Sequence, residues 1–498
     1  MTDKQKKNQN QKFLDGALWM IAMRWLMRII GLISTIILAR LLTPADFGIV
    51  ALALIVVGLL EILSWTAVDL ALIREQDPTR EHYDTAWTIQ IIQGIVIAYA
   101  LIYLAPYASI YFDEPLINNV IQLLALRTLI TSFQNIAIVD FRKNLNFAAD
   151  FRFNIYKKIF SFFIVVSLAF TLKSYWALVL GMLASALIEV IISYLMHSFR
   201  PKISLALTSE IWSFSQWILF SRIGYFLNQK TDQFIIGGES NTEAMGFYHM
   251  STELATMPAS EVVMPMRRAF FPNFSKVAHL PEEYKNSILK VIGIISILIF
   301  PVGVGVSAIS EDFVLLVLGD QWRESIPVIQ TLAFFSIASA LSSSMELLLL
   351  VSGRGDLSTI ESWLQLVVLF PAVWYAAHYV GIYEVALVRT IVASTFVFLM
   401  MFFLTRATPV KFISLLGLIW RPALASIIMF FVVKGCHISD INIIVIRLII
   451  DITIGAISFF CSLMFLWLIS GRGHGIERDI FLKILTILLL IQFKAYAL

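Results

Sequence analysis

Runs of about twenty apolar residues, each long enough to cross a hydrocarbon core at 1.5 Å of rise per residue, recur fourteen times along this chain. The first six cover roughly 16–41, 48–73, 83–105, 117–139, 153–172 and 176–197. The next six cover 211–236, 244–270, 286–309, 326–351, 358–379 and 383–405, and the last two 414–434 and 442–470. Two runs are unusually polar. The seventh holds Gln216, Arg222, Asn228 and Asp232, and the eighth holds Glu253, Pro258, Glu261 and Pro265. Helices of that kind are expected to face a protein interior or water rather than lipid. The stretch Ile480–Ile491 is apolar but short and interrupted by Lys483, so it reads as a helix lying in the membrane interface.

The basic residues orient these spans. With the amino terminus placed in the cytoplasm, 26 of the 37 Lys and Arg residues fall in cytoplasmic segments, among them Arg142 to Lys158, and 5 fall in outer loops. Such a bias follows the positive-inside rule and predicts that both termini are cytoplasmic. The remaining six basic residues lie inside spans. No cleavable signal peptide is expected, because the first apolar run is longer than a signal core and is interrupted by Arg24 and Arg28.

Composition agrees with a membrane protein. Of 498 residues, 59% are hydrophobic and 14% charged, against about 45–50% and 25% in soluble domains. A soluble globular fold is excluded. Cys436 and Cys461 form no disulfide framework and no metal-ligand spacing, and a net charge of +3 gives no reason to expect a nucleic-acid partner. No metal site or bound cofactor is predicted. The sequence has no GxxxxGKS, HExxH or GxSxG motif, and Gly353-Arg354-Gly355 and Gly471-Arg472-Gly473 read as turns. The longest outer loops, near 228–244 and 310–326, are too short for the large outer domain expected of a membrane polysaccharide polymerase or ligase. That enzyme class is the alternative from outside transport.

At an offset of 198 residues, Trp19 aligns with Trp217, Arg24 with Arg222 and Gly48 with Gly246. The pattern predicts a parallel repeat of six spans, an arrangement that transporters use to bind substrate between two halves. The expected divisions are 1–205, 206–405, and 406–498 for the last two spans and tail. Arg24 and Arg222 fall near the middle of their spans, Arg28 lies one helical turn beyond Arg24, and Arg127 is similarly deep. A guanidinium costs about 2.5–3.5 kcal/mol at a membrane centre on insertion scales, so each needs a reason. One reading has these four arginines line a cavity for an anionic ligand such as a diphosphate, which the guanidinium fork grips bidentately. The other has them bridge helices, with Glu61, Glu189 or Glu261 as partners. Arg389 and Arg447 lie nearer the outer ends, where a long side chain snorkels to water, and Asp451 is a ready i+4 partner for Arg447. Glu61, Glu253, Glu261 and Glu346 are candidates for coupling transport to H+ or Na+, or for pairing with the arginines.

Gly16-Ala-Leu-Trp19 followed by Ile36-Ile-Leu-Ala-Arg-Leu-Leu-Thr-Pro-Ala-Asp-Phe-Gly48 resembles the polysaccharide transporter branch of the multidrug, oligosaccharidyl-lipid and polysaccharide exporter superfamily. Asp232-Gln-Phe-Ile-Ile-Gly237, Gly246-Phe-Tyr248, Pro258, Phe271-Pro272 and Leu318-Gly-Asp-Gln-Trp322 are similar in order to the same family's second half. Gly238-Glu239-Ser240 departs from the Leu-Gly pair usual there. The resemblance implies an all-α polytopic protein of about 14 transmembrane helices, two six-helix bundles in a V plus two extra helices. It implies a flippase for undecaprenyl-diphosphate-linked oligosaccharide in the bacterial inner membrane, working beside a polysaccharide polymerase and chain-length machinery. It assigns the diphosphate to Arg24, Arg28 and Arg222; Arg127 rests on position. A multidrug exporter of the same fold is the alternative within the superfamily, and should show an acidic cavity in place of an arginine stripe.

Overall fold

A computed structural model describes residues 23–63, 72–73, 75, 78–144, 146–208, 216–277, 280–436 and 443–470. Side chains are described for all of these except 63, 216–222, 267–273 and 275–277. Every regular element among them is a helix. The first seven long helices are α1 (23–41), α2 (Pro44–Leu63), α3 (Arg80–Tyr111), α4 (Leu116–Ser132), α5 (Phe147–Leu172), α6 (Trp176–Met196) and α7 (Gln216–Glu239). The rest are α8 (Thr242–Val277), α9 (Pro281–Val317), α10 (Ser325–Val351), α11 (Gly355–Tyr379), α12 (Ile382–Ala407), α13 (Phe412–Gly435) and α14 (Ile444–Ile469). Each apolar run overlies one of these helices. Among the described residues ten helices are long and apolar enough to cross a membrane, or eleven if the bent helix described next counts as one span. The chain is a multi-pass membrane protein. Residues 471–498, including the stretch expected at the interface, lie outside the described residues.

The fourth span departs from a straight rod. It bends by 68° between α4 and a second segment, Ile136–Lys143. A bend inside the membrane strands backbone groups that must be satisfied locally. The Gln90 side-chain amide donates to the Ser132 carbonyl at 3.0 Å, and the Asn135 backbone N–H donates to Ser193 Oγ at 3.0 Å. Asn135, fully buried, accepts from the Ala137 N–H at 3.1 Å and donates to the Phe199 carbonyl at 2.9 Å.

The described residues fall into two compact units that divide at Gly246/Phe247, inside α8. In the first unit α7 packs on α2. Within that unit α3 packs on α4, α4 on α6 and α5 on α6; in the second unit α9 packs on α10, α10 on α12 and α11 on α12. The same pairs recur six helices later. The packing therefore carries the repeat that the offset of 198 residues predicts. In the second unit α13 and α14 lie outside the repeat and pack on α9.

The starts of α2 and α8 are equivalent down to single atoms. Thr43 Oγ1 accepts from the Asp46 N–H at 3.3 Å while the Asp46 carboxylate accepts from the Thr43 N–H at 2.9 Å, a reciprocal capping box ahead of the helix-starting Pro44. Asn241, 198 residues on, accepts from the Ala244 N–H at 2.8 Å. Asp46 also accepts from the Tyr175 N–H at 2.7 Å, so one carboxylate sits at the amino-terminal ends of both α2 and α6, where the helix dipole favours it. The two first turns then cross backbone to backbone. A Cβ on Gly48 would stand 1.7 Å from the Thr242 carbonyl oxygen, and one on Gly246 would stand 1.8 Å from the Pro44 carbonyl oxygen. The two contacts exchange under the repeat.

Gly48→Ala and Gly246→Ala are each expected to lower the thermal midpoint of the detergent-purified protein by similar amounts, overpacking costing at least about 1–3 kcal/mol. Gly305→Ala, whose Cβ would meet no atom closer than 3.9 Å, should leave it unchanged or higher. A midpoint unaffected by either crossing substitution would contradict the close approach.

Candidate anion-binding site

In the first unit the described part of α1 presents Arg24 and Arg28, one turn apart and both half-buried. Gly31 follows one turn after Arg28. Lys158, reaching over from α5, brings its Nζ to 3.6 Å from the position a Cβ would take there, an ordinary contact distance. The Lys158 ammonium is half-buried and lies within electrostatic range of Arg28 and Lys157. Lys157 is held by Glu189 of α6 at 2.7 Å. Lys157 and Lys158 are thus part of a long apolar helix that starts at Phe147, not of the loop with which the basic-residue count grouped them. The missed signal is a Lys pair already ten residues into that helix.

Arg127 of α4 and Glu61 of α2, expected as a cavity cation and a coupling acid, are partners. Arg127 Nη1 donates to Glu61 Oε1 at 3.2 Å, and the Thr128 hydroxyl adds a bond to the same oxygen at 3.3 Å. Arg222 lies on α7, and its side chain is outside the described residues. A polar cavity of about 310 Å³ opens beside the bend after α4, walled by Gln134, Asn135, Arg142, Asn154, Lys157 and Glu189.

The second unit corrects one expectation and adds a partner to another. Arg389 does not snorkel: it is 1% exposed, and its guanidinium lies 4.7 Å from the Phe335 ring centroid, a cation–π contact between α12 and α10. Arg447 forms a bidentate pair with Asp312 across α14 and α9, Nε to Oδ2 at 2.6 Å, a partner on another helix that the sequence reading did not name. Of the remaining acids, Glu253 is exposed and Glu261 half-buried on α8. Glu346 on α10 is half-buried and faces Glu361 of α11, a buried carboxyl that the sequence reading passed over. An apolar cleft of about 650 Å³ opens between α9, α10, α12 and α13, lined by Phe334, Val397, Phe398, Met401, Leu416 and Trp420.

Long apolar helices in a repeated arrangement, with arginines set inside them, define a multi-pass membrane protein of the transporter class. Residues 37–327, more than half of the chain, match the family model described as polysaccharide biosynthesis protein, and the chain belongs to that family, within the exporter superfamily named above. It is 22% identical over 358 residues to the lipopolysaccharide biosynthesis protein WzxC of Escherichia coli, covering 70% of this chain and 72% of that one. It is 23% identical over 433 residues to the succinoglycan biosynthesis transport protein ExoT of Rhizobium meliloti, covering 85% and 87%. Its fold matches that of the lipid II flippase MurJ in an inward closed conformation, with a TM-score of 0.70 at 14% identity, over 91% of this chain and 99% of that one.

In a double-mutant cycle on thermal midpoints, Arg447 is expected to couple more strongly to Asp312 than to Asp451. Asp312→Asn alone leaves the half-buried Arg447 guanidinium without its partner on α9 and should lower the midpoint, and Asp312→Asn with Arg447→Gln together should recover much of the loss. Equal coupling to both acids would contradict the observed pairing.

Proposed function

We propose that this protein flips a lipid-linked oligosaccharide, carried on a polyprenyl diphosphate, across the bacterial cytoplasmic membrane for surface polysaccharide synthesis. The observation that carries the reading is the set of cations inside the membrane helices of the first unit, Arg24 and Arg28 foremost, in a chain whose relatives are named for lipopolysaccharide biosynthesis and succinoglycan transport. A diphosphate brings delocalised negative charge on rigid oxygens, which guanidinium forks match and which water would otherwise hold. Arg222, equivalent to Arg24 in the repeat, supplies a further guanidinium from α7. Arg127 stays with Glu61 and steadies α2 against α4.

The remaining parts of the reading follow from the same pattern. All fourteen helices span, in two six-helix bundles plus α13 and α14, with both termini in the cytoplasm as the basic-residue bias requires. Alternating access between the two bundles moves the bound head group from one face to the other. Coupling to H+ or Na+ falls to Glu346 with Glu361, since Glu61 is occupied by an arginine.

Arg24→Ala and Arg28→Ala are each expected to abolish surface polysaccharide while the protein remains inserted and expressed, with a lipid-linked intermediate accumulating and identifiable by mass spectrometry. Arg24→Lys should restore output in part. Normal polymer from both alanine variants would overturn the reading.

A further inference from the structure

The polar cavity beside the bend after α4 lies in the first unit, towards the end where α3 and α5 begin and α6 finishes. Gln90 stands ten residues into α3, Lys157 ten residues into α5 and Glu189 seven residues before the end of α6, so this part of the wall lies roughly 10–15 Å inside the helix ends. Its charges balance. Arg142 and Lys157 share the lining with Asp150 and Glu189, and Lys157 is already held by Glu189 at 2.7 Å. A lining with as many carboxylates as cations does not select an ion by charge.

Much of the hydrogen-bonding capacity around this space is unused within the protein. The side-chain amide of Gln134 has no partner among the described residues. The amide nitrogen of Gln90 is taken by the Ser132 carbonyl at 3.0 Å and that of Asn154 by the Asp150 carbonyl at 2.8 Å, which leaves both amide oxygens as acceptors. Lys157 keeps two of its three donors, and Glu189 keeps one carboxylate oxygen. The ligand must therefore donate and accept at neighbouring points. An ionised phosphate only accepts and an ammonium only donates, whereas each hydroxyl does both. Two adjacent hydroxyls fit the Glu189–Lys157 pair in particular, one donating to the free carboxylate oxygen and the other accepting from the ammonium. Phe153 and Val139 add apolar wall for the C–H face of a ring. The volume of about 310 Å³ equals about ten waters, the space that one sugar ring displaces.

We infer that this cavity is a saccharide subsite, which takes one neutral, hydroxyl-rich sugar of the lipid-linked oligosaccharide, with Gln134 as a sugar-binding residue. The break in α4 puts Gln134 and the fully buried Asn135 in its wall, so the bend builds the site. The subsite reads the glycan and not the phosphates. This inference rests on the flippase reading above.

The test uses the full chain purified into nanodiscs and two probes, the lipid-linked oligosaccharide that accumulates in a deletion strain and undecaprenyl diphosphate, which carries no sugar. Gln134→Ala should weaken binding of the oligosaccharide probe by about two- to tenfold, the loss of one hydrogen bond, and leave binding of the sugarless probe unchanged. Because the Gln134 amide holds no described part of the protein, the ligand-free thermal midpoint of Gln134→Ala should match that of the wild type. A lower midpoint would make Gln134 a structural residue and overturn the inference. Unchanged affinity for the oligosaccharide probe, or equal losses for both probes, would overturn the subsite and leave the flippase reading standing. A deletion strain without accumulated lipid-linked oligosaccharide, or a wild type that binds neither probe, would bring down the flippase reading and the subsite together.

Discussion

A charge inside a hydrocarbon layer must be matched within the protein, and most of the described ionic contacts in the helices follow from that constraint. Arg447 reaches across to Asp312, Arg127 to Glu61 and Lys157 to Glu189, and Arg389 settles over Phe335. Each contact joins two different helices. The charges therefore act as selective fasteners between surfaces that are otherwise apolar on all sides, where lipid competes with protein for every contact.

The second organising feature is the crossing of α2 and α8. Where apolar helices have no water to drive them together, close backbone approach supplies the packing, and only glycine permits it. Gly48 and Gly246 occupy the same place in the two repeats and touch each other's helix in the same way. A repeat seen as three coincident residues becomes a local two-fold relation, with Thr43 and Asn241 as matching helix caps. The Thr-Pro-Ala-Asp-Phe-Gly run, recognisable as a pattern, is thereby explained residue by residue: a cap, a helix start, a carboxylate for two helix ends and a glycine for the crossing.

Helix positions were readable in the sequence because hydropathy is a property of consecutive residues and a span needs no distant partner to be seen. Even the two polar runs formed α7 and α8. The bend after α4 was not visible, since Gln134 and Asn135 look like ordinary polar residues until Gln90, Ser193 and the Phe199 carbonyl meet the broken backbone. Ion-pair partners were the least readable part. Asp451 lies one turn from Arg447 along the chain and is visible as a neighbour, whereas Asp312, 135 residues away, becomes a partner only once α9 and α14 pack. Lys158 escaped notice because the census of loop charges counted it with the cytoplasmic segment from Arg142, although the fifth apolar run, 153–172, already contains it.

The bond from the Tyr175 N–H to Asp46 spans 129 residues of sequence. During synthesis the carboxylate that caps α2 therefore waits for its second partner while α2 to α5 are made. At about 5–20 residues per second this takes roughly 6 to 26 seconds. Through that interval the entrance to α2 is held by the local Thr43–Asp46 box, and the Gly48 crossing, which needs Thr242, is later still. The most recognisable stretch of the chain is thus among the first to be synthesised, yet it is completed only when the chain has been made as far as Gly246, about half its length.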